Sequence, residues 1–150
     1  MQLKVPPVFV FLVAAVLLVI GAMLLPVGAI AFPGQTLLAA ITALTGLGIG
    51  VPPVRKFRSR QTTVNPMNPE NATSLVTSGI YRFSRNPMYL GLMLILLGLA
   101  LYIGSLTALV ILPGFIWYMT ELQIKPEEER LSEIFGIDYL DYRARVRRWI

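Results

Sequence analysis

The charged residues of this chain are confined to a few short segments, and this confinement constrains its fold more than any other feature. Residues 5–54 contain no Asp, Glu, Lys or Arg, and neither do residues 86–120. A membrane-spanning helix needs about 20 mainly apolar residues, so the first run accommodates two spans and the second accommodates two shorter ones. The sequence therefore predicts an all-α fold, a polytopic membrane helix bundle in a single domain.

The apolar runs and their punctuation set the expected boundaries of the helices. Pro52 and Pro53 are expected to end the second span, and Pro113 is expected to kink the fourth, because proline removes a backbone donor and clashes with the preceding turn. A tight turn near Gly104 should fold the last two spans against each other. We predict spans at approximately residues 6–25, 35–51, 88–102 and 106–122, with residues 54–87 and 125–150 in the cytoplasm.

The positive charges indicate which side of the membrane each segment occupies. Arg55, Lys56, Arg58 and Arg60 directly follow the second predicted span, whereas both connections on the opposite side are uncharged. Lys and Arg are enriched on the cytoplasmic side of membrane proteins. The pattern predicts an integral, multi-pass membrane protein whose amino and carboxyl ends are cytoplasmic. The net charge of +5 then indicates contact with anionic membrane lipids and no nucleic acid partner.

The carboxyl part reads as two short cytoplasmic helices. Pro126 and the three following glutamates suit a helix start, and Gly136 suits its end. A second helix over residues 138–149 places Tyr139, Tyr142 and Val146 on one face. Its other face carries Arg143, Arg147 and Arg148, which suits a helix lying on an anionic membrane.

Two absences narrow the chemistry. The chain has no cysteine and no histidine, which excludes disulfides, thiolate nucleophiles and the commonest metal ligands. No metal site is expected. Any catalysis must use carboxylates, tyrosines, arginines, asparagines and backbone groups.

The first candidate site segment is residues 79–91. Arg85 lies at the predicted water boundary, and Asn86 with Pro87 fixes an extended entry into the third span. The free N–H groups of that helix start, beside Asn86 and Tyr89, can hold a polar or anionic group. The alternative is an ordinary interfacial belt, since Tyr and Arg are common at this depth.

The second candidate site segment begins at Glu127. Acidic residues at a helix start often serve only as partners of the helix dipole. However, the fourth predicted span delivers Glu127 and Glu128 to the same membrane face as Arg85, Asn86 and Tyr89. The two segments together could form a pocket for one amphiphilic and one polar substrate.

Both segments resemble the isoprenylcysteine carboxyl methyltransferase family, which itself resembles the membrane phospholipid methyltransferases. The resemblance rests on residues 75–81, 85–91, 127–128 and 135–142, and it extends over about residues 73–150. It implies a membrane methyltransferase that uses S-adenosyl-L-methionine at the cytoplasmic mouth of the helices. It also implies a lipophilic or prenylated substrate that enters sideways from the bilayer. The cofactor-binding positions that it implies are Thr73, Ser74, Leu75, Val76, Tyr81, Asn86, Pro87, Met88, Tyr89 and Glu127.

The chain departs from the family pattern at two positions. Asn86 replaces the usual histidine and keeps a hydrogen-bonding side chain. Gln123 stands where eukaryotic members carry an arginine that helps to hold the substrate carboxylate, and Lys125 is the nearest cation. We take Gln123 and Lys125 as candidate substrate-binding residues. Because no arginine stands at this position, the acceptor could also be a lipophilic molecule other than a prenylcysteine carboxylate.

The nature of the acceptor decides whether a base is needed. A carboxylate is already ionised at neutral pH, so alignment and exclusion of water suffice for methyl transfer. An amine or alcohol acceptor would need a base, for which Glu128 is the candidate. Arg85 and Glu128 are therefore the candidate catalytic residues.

Three functions remain open at this point. The first is methyl transfer to the carboxylate of an isoprenylcysteine-like or other lipophilic acceptor. The second is methyl transfer to a phospholipid amine. The third is a non-catalytic membrane protein that binds lipid head groups or assists assembly.

Overall fold

Every regular element in the described part of the chain is a helix, as the sequence predicts. The structure is a computed structural model that describes residues 5–25, 30–59 and 75–150. Arg60, Thr73, Ser74 and most of the predicted cytoplasmic loop lie outside the described residues. In chain order the elements are α1 (Pro7–Leu24), α2 (Gln35–Ser59), a 3₁₀ turn (Gly79–Arg82), α3 (Pro87–Ile103), α4 (Ala108–Tyr118), a π-helical segment (Met119–Ile124), α5 (Lys125–Phe135) and α6 (Ile137–Arg145).

Two helices are long and apolar enough to cross a membrane, namely Pro7–Leu24 and the Gln35–Pro53 part of α2. Their outer surfaces are covered with large apolar side chains, and Leu37 and Leu44 are each 65% exposed. Such a surface is expected of a helix that faces lipid. The α3 helix is apolar but has only 17 residues, and α4 has 11. The structure therefore supports a membrane protein, and the four-span arrangement stays a prediction.

The second predicted helix does not end at Pro52 and Pro53. Both prolines lie inside α2, which continues to Ser59. Each proline removes one backbone donor, but a helix whose remaining hydrogen bonds continue on both sides can tolerate this loss. The expected end at Val51 was therefore wrong.

The α2 and α3 helices pack with their backbones in contact. A Cβ atom added at Gly46 would lie 2.7 Å from the carbonyl oxygen of Gly91, and one added at Gly98 would lie 2.9 Å from the carbonyl oxygen of Ala39. Small residues permit such close approach in membrane proteins, where dispersion contacts replace the hydrophobic effect. Small residues of α2, among them Ala39 and Gly46, therefore form its contact with α3.

The turn after α3 has the geometry that the sequence predicts. Gly104 has a φ of 66°, a left-handed conformation that glycine adopts without steric cost. Ile30 N–H donates a hydrogen bond to the Gly104 carbonyl over 2.7 Å. This contact joins the segment that precedes α2 to the turn that reverses the chain into α4.

The fourth predicted helix differs in its bounds and in how it ends. The chain remains helical from Ala108 to Phe135, because α4 passes through Pro113 and leads directly into the π-helical segment and α5. A π turn accommodates an extra residue, which changes the side chains that face the core. Gln123 and Ile124 are buried in this segment.

The last predicted helix is shorter than residues 138–149. The α6 helix ends at Arg145, and Val146 adopts an extended conformation with φ −121° and ψ 131°. Tyr139 and Tyr142 pack as predicted, since both are buried with Tyr81 in a small aromatic cluster.

Candidate functional site

The two candidate segments meet at a hydrogen bond between α3 and α5. Tyr89 lies in the first turn of α3 and is 3% exposed. Its hydroxyl donates to the Oε1 atom of Glu127, in the first turn of α5, over 2.5 Å. The predicted meeting of the Tyr89 and Glu127 neighbourhoods is confirmed.

The carboxyl group of Glu127 lies in a low-dielectric environment. Burial raises its pKa from 4.5 to about 8, against a lowering effect of the Tyr89 hydrogen bond, and the neighbouring Glu128 raises the pKa further. Desolvation penalises the ionised form because the low-dielectric surroundings solvate charge poorly. Glu127 is therefore a group that a bound cation would stabilise strongly in its ionised form.

A tyrosine cluster lies beside this pair. Tyr81, in the 3₁₀ turn, is 9% exposed, and Leu75 and Val76 pack against its cluster. Its carbonyl accepts a hydrogen bond from the Tyr142 hydroxyl over 2.7 Å. Burial raises the pKa of Tyr81, with smaller contributions from the charges of Tyr142 and Glu127. The structure thus groups the predicted positions Leu75, Val76 and Tyr81 near Glu127.

The two candidate catalytic residues are paired with each other. Arg85 Nη2 lies 2.8 Å from Glu128 Oε1, and both side chains are 7% exposed. Arg148 Nη2 lies 2.7 Å from Oε2 of the same carboxylate, and its Nε donates to Oε1 over 3.1 Å. Both oxygens of the Glu128 carboxylate are thus engaged by guanidinium groups. The geometry therefore favours a structural role for Glu128.

Asn86 connects the start of α3 to the segment after α6. Its backbone N–H donates to Ser84 Oγ over 3.1 Å, and its side-chain amide donates to the Arg148 carbonyl over 3.0 Å. Pro87 is buried and Met88 is half-buried. The structure thus places Asn86, Pro87 and Met88 next to Tyr89, with the Asn86 side chain engaged by residue 148.

The candidate substrate-binding residues have other partners. Gln123 is 2% exposed, and its side-chain amide donates to the Val5 carbonyl over 2.7 Å. The Lys125 ammonium pairs over 2.7 Å with Glu121, one turn earlier, at the surface. Among the described residues, no hydrogen bond or ion pair joins either side chain to the Tyr89–Glu127 pair. Their predicted roles in substrate binding stay predictions.

Sequence reasoning missed the contribution of the residues after α6. It assigned Arg148 to an outward, membrane-facing surface, whereas this guanidinium turns inward to Glu128. It gave no role to Trp149, whose indole N–H donates to Thr120 Oγ1 over 3.2 Å. To predict these contacts, the sequence would have to show that the last helix ends at Arg145. It carries no such marker, because no proline or glycine follows that residue.

Comparison with known proteins agrees with this assembly of segments. Residues 34–138 match the family described as phospholipid methyltransferase. The chain is 35% identical over 72 residues to protein-S-isoprenylcysteine O-methyltransferase of Saccharomyces cerevisiae and 33% identical over 72 residues to that of Schizosaccharomyces pombe. Each match covers 48% of this chain and 30% of the yeast protein. An uncharacterized protein of Haemophilus influenzae is 41% identical over 63 residues, which are 42% of this chain and 100% of that protein.

No solved structure matches the chain. The family match spans α2 to the start of α6, which includes both halves of the Tyr89–Glu127 contact. The resemblance inferred from the sequence motifs is thereby confirmed. The chain belongs to the phospholipid methyltransferase family, and isoprenylcysteine O-methyltransferases are among its relatives.

Proposed function

We propose that this protein transfers a methyl group from S-adenosyl-L-methionine to a lipophilic acceptor at the cytoplasmic membrane face, with Tyr89 and Glu127 at the donor site. The observation that carries the proposal is the 2.5 Å contact between these residues. It joins the first turn of a membrane-associated helix to the first turn of a polar helix. Membership of a methyltransferase family supports the reaction class.

The residues at this contact fit the chemistry of the cofactor. S-adenosyl-L-methionine carries an ammonium group, a sulfonium centre and ribose hydroxyls. A desolvated carboxyl group such as Glu127 gains Coulomb energy from a cation, and the face of Tyr81 or Tyr89 attracts one. We assign Leu75, Val76, Asn86, Pro87 and Met88 to the surrounding pocket, and Thr73 and Ser74 by position in the family pattern.

The cofactor supplies an electrophilic methyl group when bound. The protein would then contribute alignment of donor and acceptor, together with exclusion of water by the buried aromatic cluster. Glu127 would hold the polar end of the cofactor as an anion. Tyr89 would fix the orientation of that carboxyl group through its hydroxyl.

The acceptor is either a carboxylate or an amine. The yeast relatives are named for isoprenylcysteine O-methylation, which favours an isoprenylcysteine-like carboxylate. The family description favours a phospholipid amine. An amine acceptor would need a base, and both oxygens of the candidate base Glu128 are engaged by Arg85 and Arg148.

Cofactor binding to the detergent-purified protein tests the donor site. We expect Glu127→Gln and Tyr89→Phe each to weaken binding of radiolabelled S-adenosyl-L-methionine by about tenfold, the effect of losing one good polar contact. Glu129→Gln is the matched control for the first, since Glu129 is the exposed neighbour. Tyr102→Phe is the control for the second, because Tyr102 lies near the other end of α3 and is 64% exposed.

Wild-type affinity in all four variants would contradict the assignment of the site. Binding of anionic lipid without any binding of the cofactor would instead favour the non-catalytic function. Methyl transfer to a farnesylated cysteine analogue, compared with transfer to phosphatidylethanolamine, then separates the two acceptor classes. Product from the first but not the second would establish the carboxylate.

A further inference from the structure

The chain after α6 is hydrogen-bonded to both segments that carry the candidate site. Val146 is extended, so residues 146–150 leave the helix direction of α6. Arg85 N–H donates to the Arg147 carbonyl over 3.1 Å, and the Asn86 side chain donates to the Arg148 carbonyl over 3.0 Å. These two bonds attach the 146–150 segment to the turn that opens α3.

The same segment is attached to the helix that carries Glu127. The Arg148 guanidinium makes a two-point contact with the buried Glu128 carboxylate, at 2.7 and 3.1 Å. Trp149 donates to Thr120 in the π-helical segment and packs against the main apolar core. The side chain and the carbonyl of Arg148 therefore engage different elements.

Both attachments are close to the residues of the donor site. Asn86 precedes Tyr89 by less than one helical turn, and Glu128 is the residue after Glu127. Buried hydrogen bonds and ion pairs with several partners fix relative position more firmly than exposed ones. A shift of about 1 Å between groups that act together can strongly reduce function.

We propose that Arg148 is a positioning residue for the methyl-donor site and that the 146–150 segment sets the spacing between Tyr89 and Glu127. This proposal rests on the proposed function, because the spacing matters only if Tyr89 and Glu127 form the methyl-donor site. Arg148 does not touch the Tyr89–Glu127 pair; it acts through Asn86 and Glu128.

The positive charge of Arg148 should also affect the ionisation of Glu127, an effect that a purely mechanical support would not have. Glu128 raises the pKa of Glu127, and the charge of Glu128 is balanced by Arg85 and Arg148. Loss of one guanidinium leaves more negative charge beside Glu127. The pH at which the cofactor begins to bind should then move upward, since Glu127 ionises later. Burial raises the pKa of Tyr81 above its ordinary value of 10, so this neighbour stays uncharged in this range and does not alter the sign; Tyr89 faces the same carboxyl group through its hydroxyl.

The test uses the full chain in detergent with three variants: Arg148→Gln, Arg148→Lys and, as control, Arg145→Gln. Arg145 is exposed and its Nε contacts only the Asp141 carbonyl among the described residues. Two measurements are made on each. Hydrogen exchange of peptides spanning residues 84–91 and 125–131 is followed without cofactor, and the affinity for S-adenosyl-L-methionine is measured from about pH 6 to about pH 9.

We expect Arg148→Gln to speed exchange in both peptides, to weaken affinity about tenfold and to move its pH midpoint upward. Arg148→Lys should restore the midpoint because it retains the charge, and Arg145→Gln should match the wild type. Unchanged exchange in Arg148→Gln would overturn the role of the Arg148 side chain in holding the two segments. Faster exchange with unchanged affinity and midpoint would overturn the positioning role. Failure of the wild-type protein to bind the cofactor would contradict the proposed function instead, and exchange would still decide whether the segment is attached.

Discussion

The hydroxyl of Tyr89 lies 2.5 Å from the carboxyl oxygen of Glu127, although 38 residues separate them in the sequence. The contact joins the start of α3 to the start of α5 after the chain has reversed at Gly104. A buried phenol and a desolvated carboxyl group at a helix junction form a polar site within largely apolar surroundings. The proposed methyl-donor site depends on this contact.

Glu127 should make the stability of the ligand-free protein depend on pH. Its folded-state pKa, about 8, exceeds the ordinary value of 4.5, so the folded state binds the proton more tightly than the unfolded state. The stabilisation is complete below about pH 4.5 and is lost as the pH rises to about 8. The unfolding temperature of Glu127→Gln, relative to that of the wild type, should therefore increase as the pH rises, because glutamine stays neutral. A difference between the two proteins that does not vary with pH would contradict the raised pKa of the half-buried Glu127 carboxyl group.

The Glu128 carboxylate should contribute more to folding than an exposed ion pair. Glu128→Ala leaves Arg85 and Arg148 without their shared partner, and removing one member of a buried ion pair costs about 3–5 kcal/mol. Glu133→Ala is the matched control, since Glu133 pairs with Arg130 over 2.9 Å at the surface and should cost less than about 1 kcal/mol. Both losses are measured as changes in the free energy of unfolding in mixed micelles. Equal losses would refute the structural role of Glu128.

The backbone contact between α2 and α3 should tolerate no added methyl group. An added Cβ at Gly46 would lie 2.7 Å from the Gly91 carbonyl oxygen, whereas one at Gly48 would have no described heavy atom within 4 Å. Overpacking typically costs about 1–3 kcal/mol. Gly46→Ala should lower the free energy of unfolding by this amount, and Gly48→Ala should leave it nearly unchanged. Similar results for both would show that the helices do not pack through these glycines.

A substitution at Gln123 tests whether this residue serves packing or substrate binding. Gln123→Leu removes the hydrogen bond to the Val5 carbonyl, and an unsatisfied buried acceptor costs about 1–3 kcal/mol. If Gln123 only supports the packing of α1, the variant should be less stable while the KM for the acceptor stays within about twofold. A raised KM with unchanged stability would instead support the substrate-binding role that the sequence predicts.

Much of the helical framework could be predicted from the sequence because uninterrupted apolar runs identify helices directly. The first and third helices were placed within about one residue at each end, and Gly104 and Gly136 marked the turns where the structure has positive φ. The end of α2 could not be predicted from Pro52 and Pro53 alone. Local propensity disfavours proline in a helix, but tertiary contacts can override it.

The site was predictable only in part. The Tyr89 and Glu127 segments could be brought together from the predicted topology, which puts both segments on one side of the membrane. The partners of Glu128 could not be chosen from the sequence, since several arginines were available and the choice depends on where α6 ends. The extended backbone at Val146, which turns Arg148 inward, has no marker in the local sequence.

Photocrosslinking with methyl-labelled S-adenosyl-L-methionine tests the central claim most directly. Ultraviolet irradiation of the purified protein, followed by peptide mapping, should place the label in peptides that contain Tyr89 or Glu127. Excess S-adenosylhomocysteine should abolish the labelling, and Glu127→Gln should reduce it. Specific, competable label found only at the opposite end of the bundle, near Gly104, would contradict the account.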